Sequence, residues 1–362
     1  MDDQVNAVNF PEVSAPELPE LEIPESGAPK DARKPPHLFH VIKHKRVSWS
    51  TFIAILLAFA LGLSSGYLAW GRETMKEEAG PASTQGVPQP TPTGEHAHTV
   101  AIDMAALSRQ VNPPEGYALP VKLGDLGPQL IAAGAIDYQG FVKVYAGAGQ
   151  PLNDEQIAIL TKGSDQPIVI KPDNAYFLLN FFWAVGLTNR NSILLTDPKM
   201  KDGKDNIGNF ASTGGWTVGA KLPVELYAST QLVTLAAEQQ KRLEEVAQNV
   251  FRPCCNNPTH FPDCNHGMAM LGLLEVMAGQ NATVDEMFKA AKYVNAFWYP
   301  QQSLEQAIAF KAAKGLDYNQ VDARELTSFR FSSGTGFKVV HQWLANNGLL
   351  QQGPDSGSNC GV

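Results

Sequence analysis

The chain is poor in the signals that identify a reaction. Its one G-x-S-x-G, Gly62 to Gly66, lies inside a long apolar run and not on a strand-to-helix turn, and it has no H-E-x-x-H and no Gly-rich loop ending in Lys-Ser/Thr. A hydrolase elbow, a zincin helix and a phosphate loop are therefore not expected. Four cysteines in 362 residues, with no C-x-x-C among them, argue against a thioredoxin-type pair and a c-type haem attachment. Positive charge is in deficit, with 28 Lys and Arg against 36 Asp and Glu and a net charge of −8. No basic face for nucleic acid is expected from such a balance. Strand-like alternation is scarce, and no internal repeat is visible. Paired carboxylates such as Glu244 and Glu245 fall on solvated helical faces and do not read as a glycosidase pair. These absences lean against an enzyme.

One long uncharged run is present. Thr51 to Ala69 reads TFIAILLAFALGLSSGYLA, nineteen residues without a charge. At about 1.5 Å per residue this nearly spans a hydrocarbon core of ~30 Å. Trp49 and Trp70 flank it, where aromatic rings favour the interface. Lys43, Lys45 and Arg46 precede it, with Lys30, Arg33 and Lys34 further upstream, and only Arg72 and Lys76 follow closely. The positive-inside rule then places the N-terminus in the cytoplasm and everything after Trp70 outside. The run is long for a signal-peptide core, and its 48-residue lead is long for an n-region, so an uncleaved signal-anchor is expected.

The remaining composition divides the chain. Residues 1–48 are rich in proline and carboxylates, too polar to offset their ordering entropy, and read as a disordered cytoplasmic tail. Residues 49–70 are the transmembrane helix. Residues 71–102, with EEAGPASTQGVPQPTPTGEHAHT, form a Pro/Gly-rich stalk. Residues 103–350 read as one extracytoplasmic domain, and 351–362 as a Gly/Ser-rich C-terminal tail. The fold class expected is mainly α, with an N-terminal single-pass anchor, a stalk and one α-rich outer domain with little strand. The protein is placed in the cell membrane. The lipid bilayer is its partner through residues 49–70, and an envelope protein is a further candidate partner.

Helix signals dominate the outer domain. Asp125 precedes LGPQLIAAG, with Gly134 as a stop. Asn153 stands three before Gln156, Thr283 three before Glu286 and Ser303 three before Gln306, each in capping-box register. Asp173 opens NAYFLLNFFWAVG, apolar on nearly every face and expected to be the central buried helix. Thr234 opens LAAEQQKRLEEVAQNVF, which Pro253 ends. A last helix is expected in GFKVVHQWLANNG, with His341 packed among its apolar residues. QPIVIKP and KLPVELYAS are the best strand candidates. NFASTGGWTVG between them reads as a loop and a candidate pocket wall. Asn281 opens the sequon NAT, an acceptor for N-glycosylation in a host that has the machinery.

The chemistry concentrates in FRPCCNNPTHFPDCNHGMAMLG, Phe251 to Gly272. It holds three of the four cysteines and two of the eight histidines. Pro253 ends one helix, and Pro258 and Pro262 keep the next ten residues irregular. Asp263 or Asn265 is placed to cap a helix running to Gly279. Cys264 then sits at a helix N-terminus with His266 in its first turn, and the loop returns Cys254 and Cys255 to the same point. Three chemistries fit. Cys254, Cys255, Cys264 and His266 make a Cys₃His set sufficient for tetrahedral zinc. Copper is favoured if a thioether joins, and His260, Met268 and Met270 are further candidate ligands. Alternatively, the four cysteines form disulfides in an oxidising compartment, as Cys255–Cys264 with Cys254–Cys360 or the swapped pairing. Finally, the helix dipole would activate Cys264 as a redox thiol with a neighbouring cysteine to resolve it. The reading taken forward is a non-catalytic soft-metal site, for copper or zinc. A disulfide-stapled structural or interaction module and a thiol redox protein are the alternatives.

Overall fold

The structure, a computed structural model, describes residues 102–196, 200 and 204–350. The expected cytoplasmic tail, the anchor and nearly all of the stalk lie outside these residues, as does the C-terminal tail with Cys360. Among the described residues, no helix is long and apolar enough to cross a membrane.

The described domain is mainly helical, as its sequence signals indicate. It opens with α1 (Met104–Val111), β1 (Tyr117–Gly124), α2 (Leu126–Ala133), α3 (Tyr138–Gly147), α4 (Asp154–Thr161) and β2 (Ser164–Ile170). β1 and β2 form a two-stranded antiparallel sheet, with Tyr117 opposite Ile170 and Gly124 opposite Ser164. Then come α5 (Ala175–Thr188), α6 (Ser192–Thr196), a 3₁₀ turn over Lys204–Asn209, α7 (Ala211–Gly214) and α8 (Pro223–Leu226). The second half is α9 (Ala237–Asn249), α10 (Asn265–Gly279), α11 (Val284–Trp298) and α12 (Pro300–Lys314), a 3₁₀ turn over Tyr318–Gln320, α13 (Ala323–Thr327), α14 (Phe329–Ser332) and α15 (Gly334–Asn346).

Two buried helices organise the core. α5 is buried from Phe177 through Thr188, and α10 from Gly267 through Ala278. Neither shows a polar stripe, which is the signature of a helix enclosed on all sides. They cross where Gly186 meets Gly272. A Cβ on Gly186 would fall 2.1 Å from the Met268 carbonyl oxygen, and one on Gly272 would fall 2.2 Å from that of Phe182. Gly272 therefore serves helix contact. Other helices surround this pair, and a second apolar cluster joins α1, α12 and α15 through Leu107, Phe310 and Leu344.

The capping boxes at Asn153 and Thr283 form as their spacing predicts. The box expected at Ser303 does not. Pro300 occupies the first turn of α12, so the helix starts four residues earlier than a Ser303 cap would set and Ser303 lies inside it. Gln306 instead donates to the Phe331 carbonyl at 2.7 Å. α9 likewise begins at Ala237, later than Thr234 suggests. The strand expected in KLPVELYAS is replaced by α8, where Pro223 starts a helical turn and the Glu225 carboxylate accepts from the Leu222 N–H at 3.1 Å. His341 is not enclosed among the apolar residues, although its ring stands 6.0 Å from that of Phe337. It lies on the exposed face of α15, 2.7 Å from a Glu305 carboxylate oxygen.

Candidate metal centre

The cysteine loop is built from the end of α9 onward. Pro253 bars the helix from continuing. Phe251 is held on both sides, its N–H donating to the Thr327 carbonyl at 2.8 Å and its carbonyl accepting from the Asn295 amide at 3.0 Å. Thr259 folds the loop back: its N–H and its hydroxyl both donate to the Val250 carbonyl, at 2.9 and 3.0 Å. The Asn257 amide donates to Asp263 at 2.7 Å, closing the turn. Cys264 itself caps α10, its sulfur accepting from the Gly267 N–H at 3.4 Å. The sequence had pointed to Asp263 or Asn265 for that role, but Asp263 is engaged by Asn257.

This closure brings three sulfurs together. Those of Cys254, Cys255 and Cys264 all lie within 4.8 Å of one another, in a spacing that can hold a metal ion. Cys254 and Cys255 stand 3.6 and 3.9 Å from Cys264. Zinc–sulfur bonds of about 2.3 Å put the sulfur–sulfur edge at about 3.8 Å in a tetrahedron and about 4.0 Å in a trigonal plane. The Cys255–Cys264 edge of 3.9 Å falls in this range, and the Cys254–Cys264 edge of 3.6 Å lies just below it. All three are free thiols, and no disulfide forms among the described residues. Cys254 is exposed, and the other two are half-buried.

The sequence reading missed Arg252. It is the largest fully buried side chain of the described residues, yet it lies only two residues before Cys254. Its Nε donates to the Cys264 sulfur at 3.2 Å and its Nη1 to the Thr259 hydroxyl at 3.5 Å, while Nη2 lies 3.8 Å from Asp263. The guanidinium rests across Gly267, where a Cβ would meet Nη2 at 2.4 Å. Burial would lower the Arg252 pKa, but the neighbouring sulfurs more than offset it and hold the group charged. Hydrogen bonds from the Cys254 and Cys255 thiols, together with the Arg252 charge, hold Cys264 well below the ordinary thiol range. Cys254 is raised in turn, first by its hydrogen bond with Cys255 and then by that with Cys264.

The other expected ligands are placed differently. The His266 ring packs 4.6 Å from Tyr299 and 5.8 Å from Trp298 and is not part of the sulfur group. Burial pushes its pKa down to about 4, which keeps the imidazole neutral near pH 7. Met268 and Met270 are fully buried in the core. The half-buried His260 uses its backbone N–H to bond the Ala247 carbonyl. Tyr299 was not foreseen. It opens α12, and its buried phenol feels the Cys254 and Cys264 sulfurs. The stretch suggested as a pocket wall does adjoin the site: the Ser212 N–H donates to the Asp263 carbonyl at 3.1 Å, and Phe210 meets Phe261 edge to face.

No family model, no curated protein and no solved structure matches the chain.

Proposed function

We propose that this is a membrane-anchored envelope protein whose outer helical domain holds a soft metal ion, copper or zinc, on the thiolates of Cys254, Cys255 and Cys264, without catalysis. The observation that carries this reading is the convergence of three unbridged sulfurs on one buried cation. Three thiolates crowded at this distance repel one another, and an ion between them removes that cost. The soft, polarisable donor set favours Cu(I) or Zn(II) over hard cations. Arg252 offsets the remaining negative charge in a place water barely reaches. The anchor at residues 49–70 and an extracytoplasmic position for the domain belong to the same proposal and rest on the charge asymmetry around the run.

The second reading, a thiol–disulfide pair, is favoured by one contact: Cys254 lies 3.6 Å from a Cys264 sulfur that hydrogen bonds from Cys254 and Cys255, together with the Arg252 charge, hold in its charged form. A native mass spectrum of the full chain, purified in detergent without chelator, separates the two. The metal reading expects one adduct with no hydrogens lost to a bridge, and every cysteine open to alkylation once the ion is chelated away. A mass lower by two hydrogens per bridge and no adduct would replace it with the disulfide reading.

A further inference from the structure

Arg252 carries an implication beyond holding the loop together. A fully buried guanidinium is a fixed positive charge, and its Nε points at the sulfur of one ligand from 3.2 Å. Its other charged neighbour, Asp263, is further off at 3.8 Å and is already engaged by Asn257. The charge of the complex beside it depends on the ion. Three thiolates around a monovalent ion leave −2, around a divalent ion −1, and around trivalent arsenic none. For arsenic the balance is complete: arsenous acid loses its three hydroxyls as water, taking the three thiol protons, and three As–S bonds form. The first two complexes pair with the buried cation. The neutral one leaves Arg252 facing uncompensated sulfur, which is costly where water is excluded.

We propose that Arg252 is the specificity-determining residue of the site, tilting it towards thiophilic mono- and divalent cations and against trivalent arsenic. The proposal rests on the three-thiolate reading above. It adds a chemical class of ligand and a residue that selects it without being a ligand. The position of Gly267 supports this. Only a residue without a Cβ leaves room for the guanidinium to lie over the first turn of α10, so the helix N-terminus and the cation act on the same sulfur.

The test compares affinities within one protein. The full chain in detergent, reduced and metal-free, is titrated with Cd(II), a spectroscopically visible surrogate for Zn(II), and separately with arsenite. The Arg252→Met variant is titrated in the same way. Losing an outer-shell partner of this kind typically lowers metal affinity about 10–100-fold. Cd(II) binding should weaken by that factor while arsenite binding changes by less than about threefold, so the ratio of the two collapses. Equal weakening of both ions would overturn the proposal and leave Arg252 as loop support, with the metal reading intact. A wild-type chain that binds neither ion would sink the metal reading itself. Should Arg252→Met fail to fold, Gly267→Ala asks the same question, because its methyl group displaces the guanidinium while keeping its charge. The same fall in the ratio is expected there, and an unchanged ratio would again count against the selecting role.

Discussion

At the scale of single residues, the domain holds buried polar groups whose states differ sharply. Lys292 is buried in α11, yet its ammonium donates to the Tyr318 and Val321 carbonyls and lies 4.5 Å over the Tyr318 ring. Burial brings its pKa down only to about 8. Glu275 lacks such help. It is fully buried in α10, and neither carboxylate oxygen has a hydrogen-bond partner among the described residues. Burial raises its pKa well above the usual carboxylate range, and the nearby Asn189 only partly opposes this. The sign of the linkage follows. In the unfolded chain Glu275 loses its proton near pH 4.3, whereas the folded chain keeps it. Between that pH and the raised folded value, folding takes up a proton, so stability falls as pH rises, by up to about 1.4 kcal/mol per pH unit. Glu275→Gln keeps the shape and removes the titration. Its stability should gain on the parent from pH 5 to pH 8, as measured by urea unfolding at each pH. Parallel pH profiles would mean that Glu275 ionises alike in both states.

At the scale of elements, the α5–α10 crossing determines where the sulfurs sit, because Cys264 is the first residue before α10. Gly272 is the test position. Alanine suits a helix interior better than glycine by roughly 1 kcal/mol. Here its methyl group would fall 2.2 Å from the Phe182 carbonyl oxygen, a backbone atom that cannot turn away. Overpacking of this kind costs about 1–3 kcal/mol, so Gly272→Ala should lower the thermal midpoint despite its better propensity. A higher midpoint would show that the crossing is looser than described. Much of this element layer was legible. The boxes at Asn153 and Thr283 are local, with donor and acceptor three residues apart, and nothing downstream competes. Ser303 has the same spacing and misled, because Pro300 began the helix first. β1, YALPVKLG, escaped notice because Pro120 breaks its pattern, and its partner lies more than forty residues away. At the site, the convergence of the cysteines was readable from the prolines and the helix start. Arg252 was not, although it stands beside Pro253. An arginine next to a loop is ordinarily exposed, and only the fold, with Gly267 placed opposite, makes room to bury it. Tyr299 arrives from the α11–α12 junction, a long-range placement that no local pattern encodes.

At the scale of the whole domain, the cysteine loop is a joint between segments far apart in sequence. Cys264 belongs to the start of α10, and Cys254 and Cys255 follow α9. The Cys255 carbonyl accepts from the Gly334 N–H at 2.8 Å, and the Asn256 side chain accepts from the Thr335 N–H at 2.8 Å, so the loop also holds the first turn of α15. An ion on the three sulfurs would therefore cross-link α9, α10 and α15 together. Binding that requires the folded arrangement adds to stability by mass action, about 2.7 kcal/mol at a free-ion concentration one hundred times the dissociation constant. Zinc added to the reduced, metal-free chain should raise its thermal midpoint, and a chelator should reverse the gain. Hydrogen exchange should locate the effect. Protection is expected to fall first at residues 254–264 and 334–336 when the ion is removed, while the α5–α10 crossing, which does not depend on the loop, keeps its protection. If the midpoint is indifferent to both zinc and chelator, the three sulfurs are neighbours without a shared ion. The buried Arg252 charge would then be balanced by the Cys264 thiolate alone, and thiol chemistry would become the stronger account of the site.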